Sequence, residues 1–139
     1  MLVNQIAVFM ENKRGELKRV TDALKAGKVN ILTASIADTK DFGILRIITD
    51  DNENAKKVLR SNGFLISSDD LIGIEVAHEP GALADALAVL DNNDIDIEYL
   101  YSYEKTDGSA YILFRVHDTE KTISILNKCG VKLIDKSLF

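Results

Sequence analysis

Two short turns hold the residues of this chain best suited to chemistry. The first reads Glu11-Asn12-Lys13-Arg14-Gly15 and the second Ala77-His78-Glu79-Pro80-Gly81. Each ends in glycine, where a backbone can approach a ligand with no Cβ in the way. Each also opens a helical stretch, through Glu16-Leu17 in one case and Ala82-Leu83 in the other. The first N–H groups of a helix lack intrahelical acceptors and sit at the positive end of its dipole, which suits a carboxylate. After each helix a polar residue opens the next strand, Asn30 before Ile31 and Asp96 before Ile97, and these are expected to lie across from the turns. Side-chain oxygens of Asn12, Asn30 and Asp96 accept from an ammonium, while Lys13 and Arg14 favour a carboxylate. These are the contacts a small zwitterion needs. The same residues also have a purely structural reading, with Asn12 and Asn30 fitting turn geometry, Gly15 and Gly81 tight turns, and Asp96 a strand entry. The residue types alone leave both readings open.

The two turns are equivalent because the chain is duplicated. Gly15 matches Gly81, Leu17 matches Leu83 and Leu24 matches Leu90, each at an offset of 66 (81 − 15, 83 − 17, 90 − 24). Leu59 against Leu126 and Gly63 against Gly130 then give 67 (126 − 59, 130 − 63), which places a one-residue slip in the loop after the second strand. A repeat of this length is one supersecondary unit used twice. In each copy the pattern predicts strand, helix, strand, strand, helix, strand. Residues 3–10 form the first strand, and Leu17, Val20 and Leu24 mark one stripe of a helix that stops at Gly27. Residues 29–37 and 43–49 are the next strands, joined by the polar Asp38-Thr39-Lys40-Asp41 turn. Asp51-Asn52-Glu53 starts a second helix with Ala55, Val58 and Leu59 inward, and residues 64–66 close the copy. The second copy follows suit, with helices over 81–92 and 119–128 and a hairpin turn at Thr106-Asp107-Gly108. The split falls at a short polar linker, Ser67-Ser68-Asp69-Asp70, giving domains 1–69 and 70–139. The predicted fold class is α+β, with two ferredoxin-like βαββαβ domains, antiparallel sheets and helices on one face.

At 139 residues the chain can build one ordinary domain or two very small ones, and each copy alone would be marginal. A net charge of −5 argues against a nucleic-acid partner, which needs a clustered basic face. No apolar stretch approaches a membrane span and no signal peptide pattern is seen, so a membrane partner is not expected. A single cysteine, Cys129, allows no intrachain disulfide and fits the reducing cytoplasm.

Met10-Glu11-Asn12-Lys13-Arg14-Gly15-Glu16-Leu17 followed by Val29-Asn30-Ile31 resembles the ACT domain family of amino-acid-sensing regulatory modules. Ala77-His78-Glu79-Pro80-Gly81-Ala82-Leu83 followed by Ile95-Asp96-Ile97 resembles it a second time. The family pattern is a strand, E-N-x-P-G-x-L opening a helix, then V-N-I opening the second strand. The resemblance covers the chain as two tandem copies. It implies an amino-acid site at a domain–domain interface, on Asn12, Lys13, Arg14, Gly15, Asn30 and Ile31 of the first copy and His78, Glu79, Gly81, Ala82, Leu83 and Asp96 of the second. Arg14 stands where the family has Pro, Ala77-His78 replaces Glu-Asn, and Asp96 replaces Asn, so two identical sites are not expected. The resemblance further implies a non-catalytic regulator of amino-acid metabolism that binds a free amino acid, forms a homodimer and acts on a metabolic enzyme. The alternative is an assembly subunit that binds no ligand.

Nothing in the sequence calls for a cofactor or a metal. His78 and His117 are the only histidines, and no second His or Cys stands at ligand spacing. Cys129 reads as a packed thiol. Asp50-Asp51 and Asp69-Asp70 read as solvated loops and caps. Tyr99, Tyr101 and Tyr103 alternate along one strand and so share a side, either as cover beneath the helices or as a surface for a partner.

Overall fold

A computed structural model describes residues 2–38, 41–104 and 107–134. The elements run β1 (Leu2–Glu11), α1 (Glu16–Ala26), β2 (Ile31–Asp38), β3 (Phe42–Thr49), α2 (Asn52–Ser61), β4 (Leu65–Ala77), α3 (Ala82–Asp91), β5 (Ile97–Glu104), β6 (Ser109–Val116) and α4 (Thr119–Lys128). The chain makes two compact units, one of them Asn4–Asp69 and the other built on the described residues from Asp70 onward.

Each unit has the antiparallel order of a ferredoxin-like sheet. In the first, β3 lies between β1 and β2, with Val8 opposite Leu45, and Ile36 opposite Leu45 on the other side. In the second, β6 lies between β4 and β5, with Ile74 opposite Ile112 and Leu100 opposite Phe114. The second unit is closed among the described residues by a bridge from Leu133 to Ile74 and by the Glu75 N–H donating to the Lys132 carbonyl at 2.8 Å. The helices cover one face. Ile6, Val8, Leu45 and Ile47 of the first sheet bury against Val20, Ala23 and Leu24 of α1 and Ala55 and Leu59 of α2. In the second, Ile72, Ile74, Ile112 and Phe114 meet Ala86 and Leu90 of α3 and Leu126 of α4.

The duplication extends to backbone detail. β2 and β5 start 66 apart (97 − 31) and β3 and β6 start 67 apart (109 − 42), which puts the slip in the loop between them. Lys28 and Asp94, also 66 apart, share the left-handed conformation at φ 56° and 54°. The next N–H of each, Val29 and Ile95, folds back onto the carbonyls of Leu24 and Leu90, at 3.0 Å in both cases. This bond keeps Val29 and Ile95 out of the strands, which therefore begin two residues later than predicted. Asp51 and Asp118 cap α2 and α4 by accepting from the N–H groups of Asn54 and Lys121, each at 3.0 Å.

Four expectations are corrected. Ser67-Ser68-Asp69-Asp70 is not a linker loop but lies inside β4. No Gly or Pro interrupts it, and the Ser68 hydroxyl donates to the Asn4 side-chain oxygen at 3.1 Å and to the Gln5 carbonyl at 3.3 Å. Asp69 and Asp70 accordingly belong to a strand. Leu17 is 43% exposed rather than part of the inward stripe, which Val20, Ala23 and Leu24 form without it. Cys129 is an exposed helix cap and not a packed thiol. Of the two hairpin turns, Thr39, Lys40 and Thr106 lie outside the described residues.

Candidate functional site

The two turns share three backbone hydrogen bonds. In the first, the Asn12 N–H donates to the Asp41 carbonyl at 3.0 Å, Glu16 N–H to Lys13 carbonyl at 3.3 Å, and Arg19 N–H to Gly15 carbonyl at 3.0 Å. In the second, His78 donates to Gly108 at 3.0 Å, Ala82 to Glu79 at 3.3 Å, and Asp85 to Gly81 at 3.0 Å. Gly15 and Gly81 are the helix N-caps at φ 92° and 94°, a region that glycine enters without a Cβ penalty. A Ser or Asp at that position would turn a side-chain oxygen onto the first-turn N–H groups; the glycines make no such bond. Asn12, Lys13, Arg14, Gly15, His78, Glu79 and Gly81 are all exposed, and Leu83 packs against the core of its unit.

The charges differ between the turns. The Lys13 ammonium lies 2.7 Å from the Glu11 carboxylate, with the two side chains 58% and 60% exposed. Its hydrogen bond and charge hold Glu11 below the usual carboxylate range and raise Lys13 above the usual amine range. Behind the turn, Arg19 pairs with Glu16 at 2.9 Å and lies over the Phe64 ring at 4.9 Å.

Asn30 and Asp96 are not across from the turns of their own copies. Asn30 N–H donates to the Asp50 carboxylate at 2.9 Å, and Asp50 N–H returns a bond to the Asn30 carbonyl at 3.1 Å. Asp50 follows β3, whereas Asp41, the partner of Asn12, precedes it. The eight residues of β3 separate the two positions by about 27 Å. The reason is the helix direction, because α1 runs back along the sheet and its 11 residues carry the chain roughly 16 Å to the far end. Within each copy, therefore, Asn12 and Gly15 come together and Asn30 and Ile31 do not join them. The same holds for His78 and Gly81 against Asp96, which lines a small cavity of about 190 Å³ with His117, Asp118 and Lys121.

A larger cavity, unforeseen from the sequence, lies beside the first turn. It has a volume of about 380 Å³, and Glu11 stands at the end of it next to Asn12. Its walls are Phe9 and Met10 of β1, Ala37 of β2, Phe42, Gly43 and Ile44 of β3, and Leu65 of β4. The register brings Phe9, Ala37 and Ile44 together, with Phe9 opposite Ile44 and Ile44 opposite Ala37, on the face turned away from the helices, while Met10 packs against the helix-side core. Period-two alternation within β1 carried the signal, since Ile6 and Val8 face the core and Phe9 and Glu11 do not. Tyr99, Tyr101 and Tyr103 occupy the same face of the second unit, opposite Arg115, Leu113 and Tyr111, and do not lie under the helices.

Among the described residues, no three His, Cys, Asp or Glu side chains are grouped to hold a metal ion. None of their helices is long and apolar enough to cross a membrane. The chain is similar to protein BT0572 from Bacteroides thetaiotaomicron, at 36% identity and a TM-score of 0.92 over 99% of this chain and 94% of that one. The fold is also that of the ligand-free regulatory subunit of aspartate kinase from Thermus thermophilus, at 12% identity and a TM-score of 0.62 over 90% of both chains. The corresponding subunit from Thermus flavus gives 14% identity and a TM-score of 0.60 over 91% and 90%. No curated protein sequence matches. The family described as an ACT domain pair matches residues 1–138, and the chain belongs to it.

Proposed function

We propose that this ACT domain pair is an amino-acid-binding regulatory protein with no catalytic step of its own. One observation supports this reading above the others: two glycine-capped helix starts, repeated with nearly the same φ and three matching backbone hydrogen bonds, at the residues carrying the family pattern. The charged groups of the ligand are assigned to the first turn, where the Glu11 carboxylate and the Lys13 ammonium stand beside Asn12 and Gly15. Asn30, Ile31 and Asp96 belong to a contact at the far end of each sheet. Binding regulates an enzyme of amino-acid metabolism in the cytoplasm, and the protein acts as a homodimer. Regulation of this kind requires that the ligand favour one of two states of the protein. The fold shared with aspartate kinase regulatory subunits is in keeping with such a role.

Calorimetric titration of the full chain with each of the twenty amino acids tests the reading. Saturable heat is expected for at least one. At a ligand concentration of about 100 Kd the folded state gains roughly 2.7 kcal/mol, which a thermal melt resolves easily. Absence of heat and of any melting shift across the set would leave the assembly-subunit reading, which the tyrosine-bearing sheet face favours.

A further inference from the structure

The two copies carry different side chains at one location of the fold, and one copy fills it while the other does not. Phe9, Ala37, Ile44 and Leu65 line the cavity of the first copy. Their equivalents are Glu75, Tyr103, Tyr111 and Lys132 (75 − 9 and 103 − 37 give 66; 111 − 44 and 132 − 65 give 67). The strand register supports the match, since Phe9 and Ala37 both pair with Ile44, and Glu75 and Tyr103 both pair with Tyr111. In the second copy Tyr103 and Tyr111 stack with ring centres 6.3 Å apart and planes 28° apart. Glu75 and Lys132 close the place with an ion pair at 2.8 Å. In the first copy the rings become Ala37 and Ile44, the ion pair becomes Phe9 and Leu65, and about 380 Å³ is left open. That volume falls in the span of small-molecule sites, roughly 300–1,000 Å³. Phe9, Phe42 and Leu65 stay 40%, 64% and 70% exposed around it.

We propose that this cavity receives the side chain of a neutral amino acid that is aromatic or large and aliphatic, with its charged groups held by Glu11 and Lys13. The proposal rests on the reading of the chain as an amino-acid-binding protein, and it adds the class of ligand and a side-chain pocket. The second copy shows what fits, because there the protein places an aromatic ring of its own in the same spot. The rim supplies the rest. Glu11 lines the cavity and is paired with Lys13 at 2.7 Å, so a zwitterion entering between them sets its ammonium on Glu11 and its carboxylate on Lys13, exchanging one exposed ion pair for two. A charged side chain would instead be stripped of water against Phe9, Phe42, Ile44 and Leu65, whose side chains carry no polar group to pair with it. The first copy is therefore the one that reads the ligand side chain.

Calorimetry on the full chain with L-Phe, L-Leu, L-Ile and L-Met, against Gly, L-Ser, L-Asp and L-Lys, tests this. Binding at one site per chain is expected for members of the first group, about tenfold or more tighter than for any of the second. Leu65→Lys, which installs the second-copy residue at an exposed position, is expected to weaken that binding by about tenfold while leaving the circular dichroism spectrum and the ligand-free melt unchanged. Phe9→Glu with Leu65→Lys, which installs the ion pair, is expected to abolish it. If no amino acid binds at all, the amino-acid-binding reading falls and this proposal with it. If only small or charged amino acids bind, or if apolar ones bind Leu65→Lys as tightly as the parent, the pocket assignment falls and the broader reading stands. Sedimentation covers the remaining case: a self-association that Leu65→Lys breaks, with amino-acid affinity unchanged, would make the patch an interface between copies and overturn the proposal.

Discussion

Replacing Gly15 or Gly81 by alanine isolates the backbone of the two turns from everything around them. Both glycines sit at φ near +90°, and a Cβ built on either meets nothing within 4 Å. The substitution therefore adds no clash, and its effect comes from conformation alone. An L-residue in left-handed space costs about 1–2 kcal/mol. Alanine returns about 0.4–1 kcal/mol by narrowing the unfolded ensemble. The net expectation is a loss of about 1 kcal/mol at each turn, or roughly 3–5 °C in Tm for a chain of this length. Urea denaturation followed by circular dichroism measures it, with the m-value unchanged. Because the turns share φ and hydrogen bonds, Gly15→Ala and Gly81→Ala should agree within about 0.5 kcal/mol. Gly15→Asn should cost less than Gly15→Ala, since asparagine tolerates this region better. The reverse experiment carries the opposite sign. Lys28 and Asp94 hold left-handed φ without being glycine, so Lys28→Gly and Asp94→Gly should leave stability equal or raise it by up to about 1 kcal/mol. Alanine at Gly15 and Gly81 that stabilises, or two losses differing by more than about 2 kcal/mol, would refute the claim that one backbone device is used twice.

Gly73→Ala should behave quite differently, because its Cβ would meet Ile134 Cγ1 and the buried Leu113; a loss of about 1–3 kcal/mol in urea is expected, and Gly73→Ala with Ile134→Ala should recover part of the clash. Asp51→Ala and Asp118→Ala each remove a side-chain cap at 3.0 Å and should each cost about 1 kcal/mol, a value that a null result in both would contradict. The Glu11–Lys13 pair predicts a pH window. Glu11 is lowered by Lys13, so what the pair contributes is present above the unfolded carboxylate range and is lost as pH falls through the folded value. Lys13 is raised by Glu11, so at the alkaline end the contribution is lost as pH rises through its folded value. Carboxyl titration by NMR should show Glu11 moving up to its ordinary midpoint in Lys13→Ala; an unmoved midpoint would mean the pair does not form in solution.

The features readable in the sequence were those encoded locally. Gly27 and Gly63 mark helix stops, Asp51 a cap, and the offsets of 66 and 67 located the slip between the second and third strands of each copy. What escaped depended on direction or on distance along the chain. Asn30 looked like a neighbour of Gly15 because both flank α1, yet a helix that returns along the sheet sets its two flanks at opposite ends. Ser67–Asp70 looked like a linker because it is polar, whereas polarity ends a strand only when the side chains find no partner, and Ser68 finds Asn4 and Gln5. The cavity needs Phe9, Ala37, Phe42 and Leu65 from four strands, and no local pattern announces a meeting set by register.

The asymmetry between the copies falls where the fold permits it. A position is tied in both copies when the same turn or the same helix depends on it: Gly15 and Gly81 must both enter left-handed space, and Asp51 and Asp118 must both accept from a helix N–H. Residues packed under the helices are tied too, since a change of volume there costs stability directly. Side chains on the opposite sheet face carry neither obligation. Phe9 against Glu75, or Leu65 against Lys132, can differ without moving a strand, because backbone pairing holds Phe9 to Ile44 as it holds Glu75 to Tyr111. Apolar residues at such free positions gain nothing from water, and a cavity walled by Phe9, Phe42 and Leu65 leaves costly surface that the second copy avoids with an ion pair and stacked rings. A duplicated frame can thus keep the same turns in both halves while only one half opens a cavity, and on the proposed reading discrimination between amino acids rests on the four exchanged positions rather than on the turns themselves.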